Sequence, residues 1–174
     1  MDILEFHAFG DFLPADVQYL VVGTFPGRQF TQRTAAENEA DPLAFSYGGR
    51  NQFWKILATI YDIKLETRAD KQALLTTYQI GMSDLIRACR RRQSSNLDSD
   101  LTDIVWNREN LAQIIANNDL KTVFCTGKAV AKQFSAWFPA VACVALPSPS
   151  PAFASMSFSE KVAVYRAVFP PKKP

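Results

Sequence analysis

Two short runs hold the side chains and backbone groups best suited to meet a ligand. Gly23-Thr24-Phe25-Pro26-Gly27 follows the apolar run Leu20-Val21-Val22. A glycine ending a buried strand, with a Pro-Gly turn behind it, lets backbone N–H and C=O groups approach a ligand with no Cβ in the way. Pro147-Ser148-Pro149-Ser150-Pro151-Ala152 follows a second apolar run. Its serines, stiffened by prolines, could hydrogen-bond phosphate oxygens. Arg87, Arg90, Arg91 and Arg92 fall within six positions, a density that suits phosphates or a solvated face alike. Lys128 follows Gly127 where a helical run begins, and a phosphate could meet the N–H groups there. A plain tight turn, a proline-rich loop and an ordinary surface lysine would read the same way.

Several chemistries are excluded by what the chain lacks. His7 is its single histidine, so motifs that need paired histidines on a metal are ruled out, and a Ser-His-Asp or Cys-His mechanism would depend on His7 alone. Cys89, Cys125 and Cys143 are far apart with no Cys-x-x-Cys, which removes a zinc ribbon or a four-cysteine iron–sulfur site. Neither a metal nor an organic cofactor is expected. With 174 residues, 48% of them apolar, a single domain over residues 1–174 is the simplest organisation. No run approaches the roughly 18–20 apolar residues that span a bilayer, and the N-terminus lacks a basic start with an apolar core. A cytoplasmic protein is the expectation. The net charge of +2 does not announce a nucleic-acid binder by itself.

Strands and helices must alternate to position these runs. Strands are expected at 20–22, 80–86, 122–125 and 141–146, with Gly23, Gly127 and Pro147 ending the first, third and last. Helices are expected from Asn51 on a face of Phe53, Trp54, Ile56, Leu57 and Ile60, and over 68–78, 101–118, 128–137 and 159–168. Residues 28–42 read as a long polar loop, of the kind that is often functional. The alternation predicts an α/β fold, a three-layer α/β/α sandwich around a mainly parallel four-stranded sheet. Four strand ends then converge on one rim: 23–27, 83–87, 126–128 and 147–152.

In that order, the motifs resemble the uracil-DNA glycosylase superfamily, closest to its hypoxanthine-DNA glycosylase-like and mismatch-specific branches. Gly23–Gly27 is similar to the first motif. Arg50-Asn51-Gln52-Phe53-Trp54 is similar to the Arg-Asn-x-Phe-Trp helix start. Ile80–Ile86, Phe124–Lys128 and Leu146–Ala152 are similar to the second strand, the third strand with its turn, and the last, DNA-engaging motif. The first motif has Thr24 and Phe25 where many members carry Asn or Asp, and Ser148 stands near the place of a histidine in the last motif.

The resemblance implies hydrolysis of the N-glycosidic bond of a deaminated base, hypoxanthine or uracil, flipped out of DNA, by a monomer needing no metal. It implies Asn51 as the catalytic residue, and helix capping is its other available role. It implies a base pocket of Gly23, Thr24, Phe25, Pro26, Gly27, Phe45, Tyr47 and Asp84. Phe25, Phe45 and Tyr47 are the candidate stacking faces, unless they serve as packing. Asp84 would accept N1–H of hypoxanthine or N3–H of uracil, and otherwise would cap a turn or pair with Arg87. DNA contacts are expected from Arg90, Arg91, Lys128, Ser148, Pro149 and Ser150. Two other classes stay open: a non-catalytic DNA- or nucleotide-binding module of this fold, and an unrelated α/β enzyme acting on a small phosphorylated metabolite.

Overall fold

Leu20, Val21 and Val22 are completely buried, and so are Val123, Phe124 and Cys125, because both strands are covered on both faces. The computed structural model describes residues 3–92 and 95–173. Its strands are β1 (Glu5–Phe6), β2 (Tyr19–Gly23), β3 (Ile80–Asp84), β4 (Ile86–Arg91), β5 (Leu101–Trp106), β6 (Thr122–Cys125) and β7 (Cys143–Ala145). Its helices are α1 (Arg28–Thr31), α2 (Ala35–Ala40), α3 (Phe53–Tyr61), α4 (Arg68–Thr77), α5 (Arg108–Asn117), α6 (Lys128–Trp137) and α7 (Phe158–Val168).

Four strands pair in the order β3-β2-β6-β7, all parallel. Alternate side chains of β2 face opposite layers. Val21 joins Met82 and Phe124 under α3, α4 and α7, where Phe53, Leu57, Leu75 and Tyr165 pack. Leu20 and Val22 join Val123 and Cys125 against Leu111 and Ile114 of α5 and Val130 and Phe134 of α6. Burying side chains of this size contributes about 1.5–3 kcal/mol each. The α/β/α sandwich is therefore present. Gly23 stands level with Asp84, and Val22 with Cys125, so the ends of β2, β3 and β6 open on one rim.

Beyond β3 the chain departs from expectation. Leu85 turns it out of the parallel sheet into β4, the middle strand of an antiparallel sheet ordered β1-β4-β5. Residues 101–106 form strand β5 rather than the first turns of a helix, which starts only at Arg108. Residues 28–42 hold α1 and α2 instead of a continuous loop. Thr34 caps α2, accepting Glu37 N–H while the Glu37 carboxylate accepts Thr34 N–H. Matching capping boxes start α4 at Thr67 and Asp70 and α7 at Ser157 and Glu160.

The arginine cluster is split by its strand. Successive β4 side chains point to opposite sides, and two register irregularities redirect them further. Arg87 and Arg92 are exposed, and the Arg90 guanidinium lies 3.3 Å from Asp103. Arg91 is only 5% exposed: Nε donates to Glu5 at 3.0 Å and a terminal nitrogen donates to the Pro26 carbonyl at 2.6 Å. The DNA contact expected of Arg91 is corrected accordingly. Its guanidinium braces the Pro26 turn from inside and lies 5.4 Å from the centre of the Phe25 ring.

Candidate active site

Gly23 is the floor of the site. The Asp84 Oδ1 and the Tyr47 hydroxyl both stand where a Cβ on Gly23 would be, so no larger residue fits without moving one of them. Gly23→Ala is expected to cost about 1–3 kcal/mol through this overpacking and to displace the groups over the floor. Thermal denaturation and ligand binding of the variant check both effects, and wild-type values in both would remove Gly23 from the site.

Asp84 is held from two directions. Its Oδ2 lies 2.7 Å from His7 Nε2. Its backbone carbonyl accepts Asn107 Nδ2–H at 2.9 Å, and the same amide reaches Ser83 Oγ at 3.2 Å. Ser83 Oγ donates to Asp11 Oδ1 at 2.5 Å, and Asn110 donates to Asp11 Oδ2 at 2.7 Å. Asp84 thus pairs with His7 rather than with Arg87. The segment carrying His7 and Asp11 is pinned to the sheet: Phe12 exchanges both backbone hydrogen bonds with Met82, and His7 N–H donates to Arg87 C=O. No motif in residues 1–17 points to this wall. The lone histidine among aromatics is its one signal.

Tyr47 adopts a left-handed backbone, φ +62°, uncommon for a residue with a bulky side chain. Its ring stacks on Phe53 at 4.4 Å and its hydroxyl reaches Thr126 Oγ1 at 3.2 Å. Burial, and then the Asp84 charge, push the phenol well above its ordinary pKa, so it stays a hydroxyl. Phe25 meets the edge of the His7 ring at 6.0 Å. Phe45 is a correction to the expected stacking set: it is 5% exposed and packed face to face with Trp54 at 5.6 Å, as a core ring. It still borders a water-sized cavity with His7, Ser83 and Asp84.

The first motif is braced from outside as well. Thr24 Oγ1 donates to Asp98 Oδ2 at 2.8 Å, and Arg28 N–H donates to Asn96 Oδ1 at 2.9 Å. Pro26 is buried, and the Gly27 carbonyl accepts the Phe30 and Thr31 N–H groups of α1.

Asn51 is half-buried just ahead of α3, and its Oδ1 accepts Phe53 N–H at 2.9 Å. The N-cap of α3 is Gln52, whose side chain makes no cap bond, so Asn51 meets the first helical N–H from one residue earlier. A carbonyl oxygen has a second lone pair, so this bond leaves one acceptor position for a water. Asn51 lines a cleft of about 510 Å³ with Gln29, Gly48, Trp54 and Lys71. Tyr47 lines the same cleft, and its hydroxyl lies over Gly23 beside Asp84 Oδ1.

The proline–serine loop is fixed to this helix start. Gln52 N–H donates to the Pro149 carbonyl at 2.8 Å, and Tyr165 OH donates to the Pro147 carbonyl at 2.9 Å. Lys161 of α7, only 1% exposed, donates to Gln52 Oε1 at 2.9 Å and to the Ser150 carbonyl at 3.4 Å. Dehydration lowers the pKa of that amine. Ser148 Oγ and Ser150 Oγ each accept a backbone N–H, which leaves their own hydrogens to donate. Pro149 is buried, and Lys128 is exposed at the start of α6. Among the described residues no cluster of three or more His, Cys, Asp or Glu could hold a metal, and no helix is long and apolar enough to cross a membrane.

The fold is similar to a solution NMR structure from Methanosarcina acetivorans that carries a provisional uracil DNA glycosylase assignment. The TM-score is 0.65 at 18% identity, over 96% of this chain and 97% of that one. No curated protein matches the chain. The family model of the Uracil DNA glycosylase superfamily matches residues 9–169, from just after His7 to the end of α7. By that match, over nearly its whole length, the chain belongs to the Uracil DNA glycosylase superfamily.

Proposed function

We propose that the protein is a monofunctional DNA glycosylase that hydrolyses the N-glycosidic bond of a deaminated base, hypoxanthine or uracil, in base excision repair. The observation that carries this reading is the Asp84 carboxylate, held by His7 with its Oδ1 over Gly23. An ionised carboxylate only accepts hydrogen bonds. Hypoxanthine offers N1–H and uracil N3–H, whereas adenine N1 and cytosine N3 offer lone pairs and would leave the carboxylate without its bond.

The reaction passes through an oxocarbenium-like sugar as the base departs with negative charge. Preorganised dipoles that hold a water and meet that charge supply the catalysis. In this reading the Asn51 carbonyl holds the water, and backbone N–H groups near Thr24 and Phe25 meet the base carbonyl. The target nucleotide leaves the stack at a cost of a few kcal/mol before it is read. Tyr47 must move aside for it, since its hydroxyl stands over the floor. Ser148 and Ser150, with their hydroxyl hydrogens available, contact phosphates. The protein so described works as a cytoplasmic monomer.

Oligonucleotides carrying uracil, hypoxanthine or xanthine, incubated with the protein and then treated with alkali, test the reading. Strand breaks at a deaminated base support it. Binding without breaks would favour a non-catalytic module, and neither would favour a small-molecule enzyme. Affinity for DNA should also fall steeply with salt. Replacing Arg90, Arg92 and Lys128 together should reduce the log–log slope by about 0.9 for each phosphate that is no longer neutralised. An unchanged slope would make these residues a solvated face.

A further inference from the structure

His7 is the single histidine of the chain, and its ring is engaged at both nitrogens. Nδ1 accepts the Gly10 N–H at 3.0 Å and the Phe9 N–H at 3.4 Å. A ring nitrogen that accepts carries no proton, so the neutral ring has its proton on Nε2. That N–H donates to Asp84 Oδ2 at 2.7 Å, with the two side chains 13% and 10% exposed. The left-handed conformation of Gly10, φ +65°, turns its N–H onto the ring, a geometry open to glycine at little cost. Asp84 is thereby left with one oxygen, Oδ1, over Gly23.

We propose that His7 is a positioning residue for base recognition, fixing Asp84 so that Oδ1 alone is offered to the flipped base at one angle. The proposal rests on the glycosylase reading above and deepens it. A carboxylate bound at only one end can turn about its Cβ–Cγ bond and present either oxygen. With Oδ2 taken by the Nε2–H donor, that rotation breaks a hydrogen bond to a charged group. The carboxylate then cannot turn to relieve repulsion from a base that presents a lone pair. Rejection of adenine and cytosine thus depends on His7, although it need not touch the base itself.

Long-range ¹⁵N NMR of the sole histidine reads the contact without any reaction. The wild-type ring is expected to show one bare nitrogen and one protonated nitrogen whose Nε2–H exchanges slowly with solvent, and Asp84→Ala should speed that exchange while the Gly10 and Phe9 N–H groups keep Nδ1 bare. A wild-type ring that averages between tautomers overturns the proposal. His7→Phe keeps a ring beside Phe25 and removes the donor. Its preference for hypoxanthine-containing over adenine-containing DNA should fall about tenfold or more, the usual effect of losing a hydrogen bond to a charged group. His7→Gln restores an N–H donor and should recover most of that preference. An unmoved preference in folded His7→Phe overturns the proposal, as does a failure of His7→Gln to recover it. Should His7→Phe not fold, the spectrum and His7→Gln decide. A wild-type protein that excises no base sinks the glycosylase reading, and the spectrum alone then decides whether His7 holds Asp84.

Discussion

Asn51→Ala is expected to stay folded and bind DNA while excising deaminated bases about 10²-fold more slowly, or worse, as when other preorganised polar groups are removed. The geometry makes two costs separable. Asn51 Oδ1 accepts Phe53 N–H at the start of α3, and loss of such a hydrogen bond costs about 1 kcal/mol of stability. Asn51→Asp keeps an acceptor at the helix start and should retain that stability, while it changes the charge and donor set beside any bound water. Single-turnover excision and thermal melts of the two variants separate the roles. If Asn51→Ala excises at wild-type speed, Asn51 serves the helix start alone and the water is held elsewhere.

Substitution of Asp84 is the second large effect. Sites built around a hydrogen bond reject analogues that lack it by about 10⁴-fold or more, so Asp84→Ala should erase most of the preference for hypoxanthine over adenine. Asp84→Asn is sharper. An isolated amide could flip and offer either its oxygen or its NH₂. Here His7 Nε2–H lies at the Oδ2 position, so the amide oxygen is drawn toward His7 and the NH₂ is left over Gly23. A donor then faces the base. Hypoxanthine N1–H should be repelled and the adenine N1 lone pair accepted, which moves the preference toward adenine. Competition binding with oligonucleotides carrying each base at one position measures it. Unchanged selectivity in both variants would show that Asp84 does not read the base.

The central sheet was legible because its strands speak locally. Leu20-Val21-Val22 and Val123-Phe124-Cys125 are apolar on both sides, and once they are taken as parallel their glycine-bounded ends share a rim. The antiparallel sheet was not legible. Leu101, Ile104, Val105 and Leu111 are spaced as a helix face would be, and only pairing with β4 makes 101–106 a strand, a preference no local pattern carries. Thr34-Ala35-Ala36-Glu37 is a readable capping box, so α2 could have been found in the sequence. The charge of Arg91 was visible, but its destination depends on Glu5, 86 positions away. The Asp84 position was found from the end of its strand. Its partner was not, because nothing near residue 7 points to residue 84.

The rim is closed by contacts between distant parts of the chain. His7 and Asp84 are 77 positions apart, Tyr47 and Thr126 are 79, and Lys161 and Gln52 are 109. Contacts of such separation require large loops to close first, and topologies rich in them fold slowly. Helices α3 to α6 can form on local signals, but the N-terminal segment must dock on β3 and β4, and α7 on α3, before the pocket exists. An incompletely folded chain would therefore bring basic residues near DNA without a working pocket. For a protein proposed to leave an abasic site at every turnover, competence to excise a base would arrive last, after the fold that restrains it.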